Sequence, residues 1–140
     1  MSISPTPSST LQTIFRILLG AFLFFAGIGH LTFARNEFQA QVPDWVPLNI
    51  DVIVVLSGAV EIITGLSLIF ITRFRVQIGW WTALFFVLVF PGNISQYVNG
   101  RAAFGLNSDA ARLMRLFFQP VLIAWALWST GAWSAFRNRK

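Results

Sequence analysis

Cysteine is absent from the chain, which excludes a structural disulfide, a thiolate metal site and any dithiol redox couple carried by the polypeptide itself. With one histidine, His30, and no cysteine, a haem ligand pair, an iron–sulfur site and a zinc site of the usual ligand sets are excluded as well, so no metal site is expected. Charge is also scarce. Lys, Arg, Asp and Glu make up 11% of the 140 residues, against about 25% in an ordinary globular protein. A small soluble domain needs more polar surface than that, because its surface is large for its volume. No glycine-rich phosphate loop and no nucleophile elbow occurs. The opening stretch Met1 to Thr10 has no Lys or Arg, so the charged start of a cleaved signal peptide is missing and the first apolar run is expected to be retained.

What is present is apolar: 56% of the residues are hydrophobic, gathered in long runs over 11–33, 50–72, 76–98 and 110–133. Each is as long as the roughly 20 residues a helix needs to cross the hydrocarbon core. The runs are continuously apolar rather than alternating, which excludes a β-barrel. The expected fold is all-α, a single domain forming a four-transmembrane-helix bundle in contact with the lipid bilayer. Ser9 and Gln12 have capping-box spacing at the first start, and Asn107, Ser108 and Asp109 form a capping run before the fourth span. Between the first two spans, Ala34 to Asn49 mixes Arg35, Glu37 and Asp44 with Pro43, Trp45 and Pro47, which suits an interfacial loop with an aromatic anchor.

The net charge of +5 is scattered at the ends of these runs, unlike the basic face of a nucleic-acid-binding protein. Arg73, Arg75, Arg137, Arg139 and Lys140 fall on one side of a four-span topology, and Arg35 and Arg101 on the other, with Arg112 and Arg115 entering the fourth span there. The positive-inside rule then places both termini in the cytoplasm.

Ionisable groups inside a span are costly and normally face the bundle interior. At about 100° per residue, Arg16, Gly20, Gly27 and His30 share one face of the first helix, Gly58, Glu61 and Gly65 one of the second, and Arg112, Arg115 and Gln119 one of the fourth. Asn93 and Gln96 lie about one turn apart in the third. Turned inward, these stripes make a polar internal cavity, with the glycines permitting close helix approach. Glu61 is then near mid-membrane, His30, Asn93, Arg115 and Gln119 in the outer half, and Arg16 in the cytoplasmic half with a side chain long enough to reach toward Glu61. Pro91 and Pro120 free the carbonyls of Val87 and Leu116, for which Asn93 and Gln119 are candidate partners. The candidate ligand-binding set is Arg16, His30, Glu61, Asn93, Gln96, Arg115 and Gln119. Each has a packing alternative: a Glu61–Arg16 ion pair, a solvated interfacial His30, arginines that snorkel to headgroups, amides that serve as interhelical glue.

The ordered set Arg16 to Gly20, Phe25 to His30, Val42-Pro43 and Val46-Pro47, Ser57-Gly58 with Glu61 and Gly65, Phe90 to Ile94, and Arg112 to Gln119 before Trp125 resembles the DoxX-like family of small four-helix membrane proteins over nearly the whole chain. The resemblance implies a bacterial inner-membrane location and an association with membrane oxidoreductase systems, including quinone-reducing thiosulfate oxidation. Relatives of the methylamine-utilisation type carry cysteines, and their absence here argues against disulfide handling. The expected fold is also similar to that of EXPERA-type sterol-binding proteins, by analogy only. The leading expectation is an accessory subunit, not catalytic on its own, that binds a quinone or other lipophile and meets an oxidoreductase partner. The competing ones are a small proton-coupled transporter using Glu61 and His30, and a purely structural subunit.

Overall fold

The computed structural model describes residues 7–39, 42–100 and 108–138. The chain is all-helical: α1 (Thr10–Leu31), α2 (Arg35–Gln39), α3 (Ile50–Phe70), α4 (Arg75–Val98), α5 (Asp109–Ser129) and α6 (Ala132–Arg137). Four of these, α1, α3, α4 and α5, are long and apolar enough to cross a membrane. Their outward faces carry large apolar side chains, among them Phe25 at 63% exposure, Phe117 at 70% and Met114 at 73%. So much apolar surface is stable against acyl chains and not against water. The protein is a multi-pass membrane protein.

Local chemistry sets the helix ends. The Ser9–Gln12 capping box closes in both directions, at 3.0 and 3.1 Å. Asn49 Oδ1 accepts from the amides of Asp51 and Val52, and Ser108 Oγ from that of Ala111. The rest of the expected capping run, Asn107, and the loop basic residue Arg101 lie outside the described residues, as do Arg139 and Lys140. Three ends come earlier than the apolar runs suggest, α3 at Phe70 rather than residue 72 among them. The first helix stops at Leu31, where the amides of Thr32 and Ala34 both turn back to Gly29 O. The last long helix stops at Ser129 rather than Trp133: Thr130 Oγ1 bonds Ala126 O at 2.7 Å, and Gly131 takes a left-handed φ of 78° that reverses the chain into α6. Hydropathy is blind to that break because α6 is apolar too.

Glycine draws α1 and α3 together. A Cβ on Gly20 would sit 2.7 Å from Gly65 O, and one on Gly27 2.7 Å from Gly58 O. The contacts recur seven residues apart on both helices in opposite senses, so the pair is antiparallel with the short repeat of a left-handed crossing. α5 packs on α4, and α6 folds back so that Ala132 and Ala135 bury Val76. Between the two pairs lies an apolar core of Leu19, Leu23, Leu68, Phe85, Phe86, Leu122 and Ala126. α1 and α5 are joined near the α6 end: Trp125 Nε1 donates to Phe15 O at 2.9 Å, Gln12 Nε2 to Trp128 O at 2.9 Å, and both tryptophans meet the Phe15 ring edge-on. At the α2 end the pairs stand apart.

Candidate functional site

The space left at the α2 end is a cavity of about 620 Å³, walled by α1, α3, α4 and α5. Most of the wall is apolar, from Leu23, Val54, Phe86 and Leu122. Phe38, Val42 and Trp45, from the segment between α1 and α3, roof it. The expected interfacial loop is therefore partly helical and forms one wall of the cavity. It is held down by Arg35, whose guanidinium fork takes both carboxylate oxygens of Asp51 in the first turn of α3, with Gln39 Nε2 adding a 3.1 Å bond to Oδ1. That carboxylate pushes the Arg35 guanidinium above its ordinary pKa, chiefly through the side-chain hydrogen bond.

The polar lining has two sides. On one, α1 and α3 bring His30 and Glu61 together, both buried, because Gly58 lets His30 approach the α3 backbone. His30 Nδ1 is 2.9 Å from Ala26 O and 2.9 Å from Glu61 Oε2. Only the carbonyl meets hydrogen-bond geometry, so Nδ1–H donates to Ala26 O, while Glu61 Oε2 lies beside the same nitrogen outside that geometry. Glu61 Oε2 is left with no hydrogen bond although the residue is only 9% exposed. The other face of the imidazole is covered by Phe38, stacked at 3.3 Å between ring centroids and 14° between planes. His30 is thus a buried residue under an aromatic roof, not the solvated interfacial one its place near a helix end suggests.

On the other side Gln119 is the hub. Its Oε1 accepts from Arg115 Nη1 at 3.0 Å and Asn93 Nδ2 at 3.3 Å, which fixes the amide orientation, and its Nε2 donates to Phe86 O at 2.6 Å. That carbonyl is one residue before Val87, the acceptor freed by Pro91, so the expected proline partnership is displaced by one position. The Arg115 guanidinium lies 5.9 Å from the Phe118 ring centre and lines the cavity rather than reaching for headgroups. Arg112 instead bonds Asp109 Oδ1 at 2.8 Å.

Two members of the sequence-based set stand elsewhere. Gln96 is buried on α4 but does not line the cavity. Arg16 does not pair with Glu61: its Nη1 donates to Leu68 O, one of the last carbonyls of α3, which no later helical amide satisfies. Leu68 is seven residues beyond Glu61, about 10 Å along the helix axis, which puts the carboxylate out of reach. Arg16 caps α3 and Glu61 meets His30. The sequence reading missed Phe38, Val42 and the Arg35–Asp51 clamp; the roof residues carry no periodic signal, and an ion pair across a loop has none either.

Among the described residues no three of His, Asp and Glu converge as a metal site would need. What the cavity offers is a buried carboxylate oxygen without a hydrogen bond on α3, cationic and amide donors on α4 and α5, and apolar walls between. No curated protein and no solved structure matches the chain. One family model does, over residues 19–130, which take in every wall of the cavity and its roof, and the chain belongs to that family, DUF8561, a domain of unknown function.

Proposed function

We propose that the protein binds a membrane-borne lipophile with an oxygen-bearing head, of the quinone class, as an accessory subunit of a bacterial inner-membrane oxidoreductase system. The observation that carries this reading is the buried, hydrogen-bond-free Glu61 Oε2 on the wall of an otherwise apolar cavity whose other side presents Arg115 and Asn93. A buried polar atom without a hydrogen bond costs about 1–3 kcal/mol, and a ligand hydroxyl at that position lowers the cost that the nearby His30 leaves. A head with oxygens on opposite edges suits both sides, one facing Glu61 and the other the guanidinium and amide donors. A volume of about 620 Å³ is that of a small-ligand site. The DoxX-like pattern supports the link to oxidoreductases. The basic residues Arg73, Arg75 and Arg137 at the α6 end, opposite the acids Asp51 and Asp109, support cytoplasmic termini.

The test is native mass spectrometry of the protein from bacterial membranes, together with thermal shifts on adding a decyl-tailed benzoquinone and its hydroxyl-bearing quinol. A co-purified quinone-sized ligand and a raised melting temperature are expected. A protein that carries no lipophile and melts at the same temperature with and without quinone or quinol excludes the reading.

A further inference from the structure

We infer that the ligand reaches the cavity sideways from the bilayer, through the slot between the α1–α3 pair and the α4–α5 pair, whose exposed rim is Phe22 and Phe25 on α1 and Leu88 and Pro91 on α4. The inference rests on the lipophile reading above and specifies the ligand further: an amphiphile whose tail remains among the acyl chains while its head is held inside.

Exposure along the walls locates the opening. Of the cavity-lining residues of the four long helices, Phe22 and Phe25 on α1 and Leu88 and Pro91 on α4 are exposed, with Phe25 at 63% and Leu88 at 62%. The lining residues of α3 and α5, including Val54, Glu61, Gln119 and Leu122, are buried or half-buried, so the exposed rim is carried by α1 and α4. The backbones agree that the gap lies between two pairs: α1 packs closely on α3 and α4 on α5, the pairs meet only where α1 approaches α5 and α3 approaches α4, and among the described residues neither diagonal, α1 with α4 or α3 with α5, approaches. On α4 the slot falls where Pro91 removes a backbone hydrogen bond and Gly92 supplies no side chain, so this wall is thin and free to bend.

The slot also states what can pass. Its rim has no polar side chain, so an ion or a water-soluble solute would lose its hydration there without replacement. A cavity of about 620 Å³ holds a head group but not a long isoprenoid or acyl tail, which must project through an apolar opening. Toward water, by contrast, Phe38 lies flat on His30, and Arg35 on Asp51 holds that segment in place.

The experiment uses the full chain in lipid nanodiscs and follows binding of a decyl-tailed benzoquinone by quenching of tryptophan fluorescence in stopped flow. Leu88→Trp narrows the slot from a lipid-facing position, and Met114→Trp, on the lipid face of α5 away from the cavity, is the control for bulk. Leu88→Trp is expected to slow association and dissociation together by about ten-fold, the mark of a raised barrier rather than a changed site, and Phe25→Ala to speed both. Met114→Trp should match the parent. For the parent, the association rate should follow quinone per lipid rather than quinone per volume of buffer. Leu88→Trp rates equal to those of Met114→Trp, or a change in dissociation alone, overturn the slot while leaving the binding site standing. No quenching in the parent chain removes the lipophile reading and the slot with it.

Discussion

At the α6 end of the bundle α1, α3 and α5 are pinned by polar contacts to backbone groups: Trp125 to Phe15 O, Gln12 to Trp128 O, Arg16 to Leu68 O. At the α2 end the same helices part around a cavity, and the polar side chains there bond to one another as well as to backbone, with Glu61 Oε2 left without a hydrogen bond. Both ends bury ionisable groups in an apolar surrounding, so burial alone does not separate structure from function. Where the leftover capacity lies does. Arg16 completes a helix end that would otherwise be short of a donor, whereas Glu61 Oε2, beside His30, keeps hydrogen-bonding capacity that the chain does not fill.

Four substitutions break or sharpen that contrast. The seam between α1 and α3 underlies both ends, so Gly27→Leu should erase the comparison: with Gly58 O 2.7 Å from the new Cβ, no rotamer relieves the clash. A loss of at least about 3 kcal/mol, the upper range for overpacking, is expected and reads out as a collapse of the melting temperature in detergent. Glu61→Gln should act on the ligand and not on the fold. Affinity for the quinol, whose hydroxyl donates to the carboxylate, is expected to drop about ten-fold through loss of a charge-assisted hydrogen bond, with the ligand-free melting temperature nearly unchanged. A loss of about 3–5 kcal/mol in the ligand-free protein would instead mark Glu61 and His30 as a structural ion pair. Arg16→Met should do the reverse, lowering stability by about 1 kcal/mol through the uncapped end of α3, with quinone affinity as in the parent; a weakened affinity there would return Arg16 to the ligand site. Arg35→Ala is expected to have the smallest effect, leaving the melting temperature in place and raising hydrogen exchange at the amides of residues 35–39. Unchanged exchange would show that Phe38 on His30 holds the roof without the clamp.

Much of this architecture is legible in the residues. Composition dictates helices in lipid, and the turn of the helix places Gly20, Gly27, Gly58 and Gly65 on faces where close approach is possible. The same periodicity places Glu61 with His30 only as candidates, since a stripe gives a direction on its own helix and no partner. That is how Arg16, on the correct face of α1, was matched to Glu61: the rotation is right and the depth is wrong by about two turns. Gln96 shares a face with Asn93 but lies a turn beyond the cavity wall. The break at Thr130 and Gly131 was written in the chain, as a hydroxyl that bonds back and a residue that tolerates positive φ, and was outweighed by the apolar residues after it.

The amino-acid sequence by itself determined the solvent, the number of crossings and the inward set of polar residues, because apolar runs and helical periodicity are properties of one segment at a time. Which polar groups satisfy each other, which one is left over, and where the wall opens were decided only by tertiary structure. Those depend on the relative depth and separation of helices, set by glycine contacts and a roof folded back from another part of the chain.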